Sequence, residues 1–234
     1  MSFQSLSNLA KQPKAITSLI YCQPGGGKST SIGLWAEKHK GKTLVLDVDR
    51  TIINTLSKGD VVKDVSRIDI RQIDNINTWE DWEKALLELK ALKDDGKFDY
   101  ETICVDNISE LERCILSDLG SKGKNKGVPA QADYQYMQFK LVNSLRYLKS
   151  FGCNVILTAW EDVRSIVYTD GTSYSQFIPK CSLKVLDNIC GLCDIVGKIL
   201  TKQDGTRGIV LEASQSIYAK NQIDTRKGCL VSEF

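Results

Sequence analysis

The sequence predicts an α/β protein with a mainly parallel central sheet, helices on both of its faces and a C-terminal antiparallel hairpin. Three observations carry that expectation. The apolar run Leu19–Tyr21 meets a Gln-Pro-Gly-Gly-Gly turn at 23–27 and then a helical pattern. Buried-strand runs at Thr43–Val48, Phe98–Asp106 and Asn154–Ala159 alternate with helical patterns, the order that builds parallel sheets through crossover helices. Near the C-terminus, Ile195–Thr201 and Gly208–Ala213 flank Asp204-Gly205, a hairpin signal.

The bulk properties narrow the class. At 234 residues the chain suits one domain, expected over residues 16–234 after a polar lead-in at 1–15. Apolar residues make up 42% and charged ones 26%, so a sizeable core can form. A net charge of +2 means that any basic binding surface must be local. No apolar run approaches the roughly 20 residues of a membrane span. The polar Met1–Lys14 lacks the apolar core of a secretory signal, which leads to a cytoplasmic expectation. Of the 8 cysteines, Cys104, Cys114 and Cys153 fall in apolar strand or helix patterns and read as buried thiols. Cys190-Gly-Leu-Cys193 is one C-x-x-C with Cys181 nearby and no histidine, short of the four ligands a zinc site needs.

The first element, the strand ending near Cys22, leads into Gln23, Pro24, Gly25, Gly26, Gly27, Lys28, Ser29 and Thr30. Glycines let successive N–H groups turn inward toward phosphate oxygens, and the following helix adds the positive end of its dipole. Lys28 is placed to reach β- and γ-phosphates, and Ser29 to ligate Mg²⁺, so ATP and Mg²⁺ are the expected cofactors. The motif's first glycine is replaced by Cys22, which is expected to close the strand. The helix from Lys28 ends at Gly41, and the strand Thr43–Val48 closes in Asp47 and Asp49, at the edge where open α/β sheets bind ligands. A weakly alternating stretch at Val61–Ile73 is a further strand candidate, and Trp82, Ala85, Leu86 and Leu89 recur at helical spacing.

Phe98–Asp106 is a strand ending in an aspartate placed to hold Mg²⁺ opposite Ser29. The helix Ile108–Leu119 is expected to stop at Gly120. Lys122, Lys124 and Lys126 then alternate in a Gly-rich segment, Ser121–Gln131, readable either as a solvated loop or as a phosphate-backbone contact. Asp133 opens a longer helix to Lys149. Beyond Trp160 and Glu161, the segment Asp162–Lys180 interleaves Arg164, Tyr168, Tyr174 and Phe177 around Asp170-Gly171. That mixture suits stacking on single-stranded bases, and equally a hairpin covering the sheet edge.

Taken in order, the phosphate loop, acidic strand end, Thr-Ile-Cys-Val-Asp-Asn-Ile-Ser-Glu-Leu at 102–111 and Lys220-Asn221-Gln222-Ile223 resemble the RecA-like P-loop ATPases that phages encode beside recombination and annealing genes. The resemblance spans about residues 16–225. It implies ATP hydrolysis, single-stranded DNA binding and assembly into a ring or filament with ATP between protomers. It also implies a phage annealing or single-strand-binding partner and a host-cytoplasm location. Asp49 takes the place of the family's catalytic glutamate, with Asp47 as second candidate. Trp160 or Glu161 stands near its γ-phosphate sensor, and Lys220 resembles a lysine that reaches a neighbour's nucleotide. The segments around Lys122–Lys126 and Arg164–Phe177 fall where such proteins carry DNA-binding loops. Two rivals remain: a nucleotide-binding assembly or loader module with little hydrolysis, and a P-loop small-molecule kinase.

Overall fold

A computed structural model describes residues 14–234. The expected lead-in at 1–15 thus lies almost wholly outside the described residues. The chain runs β1 (Thr17–Cys22), α1 (Lys28–Lys38), β2 (Lys42–Asp47), α2 (Ile52–Leu56), β3 (Ile68–Gln72), α3 (Thr78–Asp94) and β4 (Tyr100–Asp106). It continues with α4 (Ile108–Lys122), α5 (Gln131–Lys149), β5 (Asn154–Val167), β6 (Ser173–Pro179) and α6 (Leu183–Leu192). Then follow β7 (Ile195–Thr201), β8 (Arg207–Val210), β9 (Lys220–Asn221), β10 (Gly228–Leu230) and a closing 3₁₀ turn at Val231–Glu233.

The strands form one sheet in the order β10-β8-β7-β1-β5-β4-β2-β3. From β7 to β3 every neighbouring pair is parallel, and β8, β9 and β10 add antiparallel strands at the C-terminal side. This is the α/β architecture the sequence predicts. Alternating side chains divide the strands between two faces, as the period of two requires. Leu19, Tyr21, Leu46, Ile103, Val105 and Leu157 pack under α3, α4, α5 and α6. Val45, Cys104 and Ile156 meet Ile32 and Trp35 of α1 and Ile52 and Leu56 of α2 on the other face. Trp82 is fully buried, a core residue as its helical spacing suggests.

Two local features depart from expectation. Gly120 does not end α4, which continues to Lys122. A Cβ at Gly120 would lie 2.8 Å from the carbonyl oxygen of Gly127, so glycine is required there by the close approach of the following loop. Asp133 is three residues inside α5, where its carboxylate accepts a hydrogen bond from the Ala130 N–H at 2.7 Å. The aromatic segment after Trp160 is a hairpin, because β5 runs on past the sheet and pairs antiparallel with β6 from Glu161↔Pro179 to Val167↔Ser173. Among the described residues, no helix is long and apolar enough to cross a membrane.

Candidate functional site

The carboxyl ends of β1, β2 and β5 converge on a cleft of about 570 Å³. Its floor is the Gly-rich loop. Gly25 and Gly27 adopt φ of 77° and 105°, the left-handed region in which a side chain is strained. Cys22 lies buried beneath the loop, and a Cβ on Gly26 would come within 2.6 Å of its sulfur. The residue that replaces the motif's first glycine therefore packs under the turn, as expected of a strand-closing side chain. Burial holds its thiol above the ordinary cysteine range. Pro24, Gly25, Gly27, Lys28, Ser29 and Thr30 line the cleft, while Gln23 and Gly26 shape the loop behind them through a 3.0 Å backbone hydrogen bond. Lys28 begins α1 and donates to the carbonyls of Cys22 and Gln23 at 3.4 Å each.

Across the floor, the Ser29 hydroxyl donates to Asp106 Oδ2 at 2.8 Å, joining residues 77 positions apart. Asp106 is fully buried, which raises its carboxyl above the usual range against the opposing effect of hydroxyl donors from Thr158 and Ser29. Thr158 can reach it because β5 lies beside β4. The two carboxylates at the end of β2 part company. Asp49 lines the cleft, accepting from Asn107 Nδ2 at 2.8 Å and from the Thr51 hydroxyl at 2.6 Å. Asp47 is fully buried, accepts the Arg50 N–H at 3.0 Å and leaves its second oxygen without a partner. Burial, with help from the Asp49 and Asp106 charges, pushes its carboxyl up to about 6.

The remaining candidates are distributed differently from the sequence expectation. Trp160 lines the cleft, with the Arg113 guanidinium 5.7 Å from its ring. Glu161 instead pairs with the buried Lys198, whose ammonium stands 3.7 Å from the Phe177 ring centre. Phe177 packs against the core beneath that pair rather than standing free on the hairpin. Lys220 turns inward and donates to the Cys190 and Cys193 carbonyls at 3.1 and 2.7 Å, satisfying the C-terminus of α6. To reach a neighbour's nucleotide, Lys220 has to give up these two acceptors.

Lys122 also differs: it closes α4 and pairs with Glu80 and Asp118 at 2.9 and 2.8 Å. Lys124 and Lys126 remain on the exposed loop. Arg164 is held by Gln176 Oε1 at 2.8 and 3.1 Å, while Tyr168 and Tyr174 sit with ring centres 5.3 Å apart on the outer hairpin. Among the described residues no cluster of cysteines, histidines or carboxylates is arranged to hold a metal by itself, so Cys190 and Cys193 form no such group. The sequence reading missed Thr158, Asn107 and Arg207. The first two depend on strand order, and Arg207 follows the Asp204-Gly205 turn as one basic residue among many.

The architecture and cleft can be set beside known proteins. Residues 14–223 match the family described as an AAA domain. None of the curated proteins matches the chain. Among solved structures, one titled as the crystal structure of the RadB recombinase is 13% identical, covering 88% of this chain and 86% of its own, with a TM-score of 0.48. The family match spans most of the chain and contains the Gly-rich loop, Asp49, Asp106 and Trp160: this protein belongs to the AAA domain family.

Proposed function

We propose that the protein binds and hydrolyses ATP and binds single-stranded DNA, acting in phage DNA recombination or annealing as a homo-oligomer. The observation that carries the nucleotide reading is the hydrogen bond from Ser29, which lines the cleft, to the buried Asp106, beside a loop that bends through Gly25 and Gly27. A hydroxyl and a carboxylate with only oxygen donors fit a hard cation such as Mg²⁺. That cation, when bound, neutralises charge on the β/γ-phosphates. The loop N–H groups and Lys28 bind and orient the phosphate chain, for which Lys28 must exchange its two carbonyl acceptors for phosphate oxygens. Asp49, facing the cleft, holds the attacking water and takes its proton. Thr158 and Asn107 fix the two carboxylates from behind.

Support for DNA binding is separate. Tyr168 and Tyr174 present paired rings on the hairpin, with Arg164 midway along it opposite Gln176, a platform suited to base stacking. Lys124 and Lys126, exposed on the loop after α4, supply cations for phosphate contacts. One feature favours the assembly or loader reading with little hydrolysis. Asp49 is a short carboxylate already engaged by Asn107 and Thr51, which limits its freedom to approach water.

Turnover of Mg-ATP with and without single-stranded DNA separates these readings. Hydrolysis that rises with DNA, and loses that rise in Tyr168→Ala/Tyr174→Ala, is the expected result. Tight nucleotide binding with no turnover under either condition selects the loader reading, and turnover that requires a small phosphate acceptor selects a kinase.

A further inference from the structure

The neighbour-derived lysine expected from the sequence is occupied within its own chain, but another cation stands over the cleft. Arg207 opens β8 opposite Thr201, on the antiparallel hairpin whose first strand lies beside β1. Its side chain crosses the Gly-rich loop so closely that a Cβ on Gly27 would lie 2.8 Å from Cδ, 3.0 Å from Nε and 3.4 Å from Cζ. It lines the same cleft as Lys28, Ser29 and Thr30. Its Nε is buried and has no acceptor. Among the described residues no carboxylate pairs with Arg207, whereas Arg71 pairs with Asp81 and Glu88, and Lys198 with Glu161. A buried donor of a permanent cation calls for an acceptor, and neither carboxylate that lines this cleft, Asp49 or Asp60, pairs with it.

We infer that Arg207 is a nucleotide-binding residue acting in cis, its guanidinium donating to the phosphate chain of a nucleoside di- or triphosphate seated on the Gly-rich loop. This rests on the nucleotide reading above and adds a contact that the loop motif does not supply. The planar fork suits phosphate oxygens, which a point charge such as lysine matches less well. The arrangement also gives Gly27 a second reason to be glycine. Beyond its left-handed backbone, it leaves the space through which the arginine stem passes.

The test is titration of the full chain with Mg-ADP and, separately, with inorganic tripolyphosphate, for wild type, Arg207→Gln, Arg207→Lys and Lys28→Ala. A charge-assisted hydrogen bond to phosphate corresponds to about 10–100-fold in affinity. Arg207→Gln is expected to lose that much for both ligands, and Arg207→Lys to fall between it and wild type. Affinities within twofold of wild type in Arg207→Gln, while Lys28→Ala loses binding, overturn the inference and leave the nucleotide reading standing. Weakened ADP binding with unchanged tripolyphosphate binding also overturns it, by moving the contact to the base or sugar. Wild type that binds neither ligand removes the nucleotide reading itself and the arginine's role with it.

Discussion

At the end of β2, two carboxylates separated by one residue meet different surroundings and so different chemistry. Asp49 reaches the cleft and is oriented by Asn107, whereas Asp47 is buried with one oxygen unpartnered and a carboxyl pushed up to about 6. Asp49→Asn is therefore expected to keep Mg-ATP affinity within about threefold while turnover falls about 10²–10⁴-fold, the span typical of a lost general base. Steady-state hydrolysis beside equilibrium binding checks it, and the reverse pattern in Asp47→Asn transfers the role to the buried residue. The identity of these aspartates was legible in the sequence because both close an apolar run. The choice of Asp49 over Asp47 came from the resemblance and not from the apolar run, which says nothing of the turn at Arg50, where φ is 57°. Arg207 was illegible for a related reason: only the pairing of β7 with both β1 and β8 brings residue 207 to residue 27.

At the scale of elements, two basic side chains that read as binding groups in the sequence are engaged at helix ends. Lys122 closes α4 against Asp118 and Glu80, and Lys220 satisfies two carbonyls at the end of α6. Replacing Lys220 by methionine removes charged hydrogen bonds to half-buried carbonyls, so a loss of about 1.5–3 kcal/mol is expected. For a chain of this length each kcal/mol lowers the melting temperature by about 2–4 °C. Thermal unfolding measures that loss, and hydrolysis per folded molecule at a temperature well below the transition should stay near wild type. A fully folded variant with abolished turnover would restore Lys220 to the catalytic centre. Strands and helices themselves were readable because apolar runs and helical spacing are local properties. The end of α4 was not, since Gly120 is a glycine for the sake of a loop that returns upon it, not for a helix stop.

Across the whole molecule, one strand links the parts that the proposed function needs. β5 lies between β1 and β4, contributes Thr158 to Asp106 and Trp160 to the cleft, and then leaves the sheet to carry Arg164 into the aromatic hairpin. The Glu161–Lys198 pair and Phe177 anchor the base of that hairpin to β7 and the core. One strand thus joins the cleft to the hairpin, and it is the link that the proposed DNA-dependent hydrolysis would use. All of this rests on the Gly-rich loop taking a polyphosphate. The most direct measurement is calorimetric titration of Mg-ATP into wild type and Lys28→Ala at matched folded concentration. Saturable one-site binding by wild type, weakened at least about 100-fold by the loss of a cation that meets the phosphates directly, is the predicted result. Equal binding by both proteins, or none by the folded wild type, contradicts it.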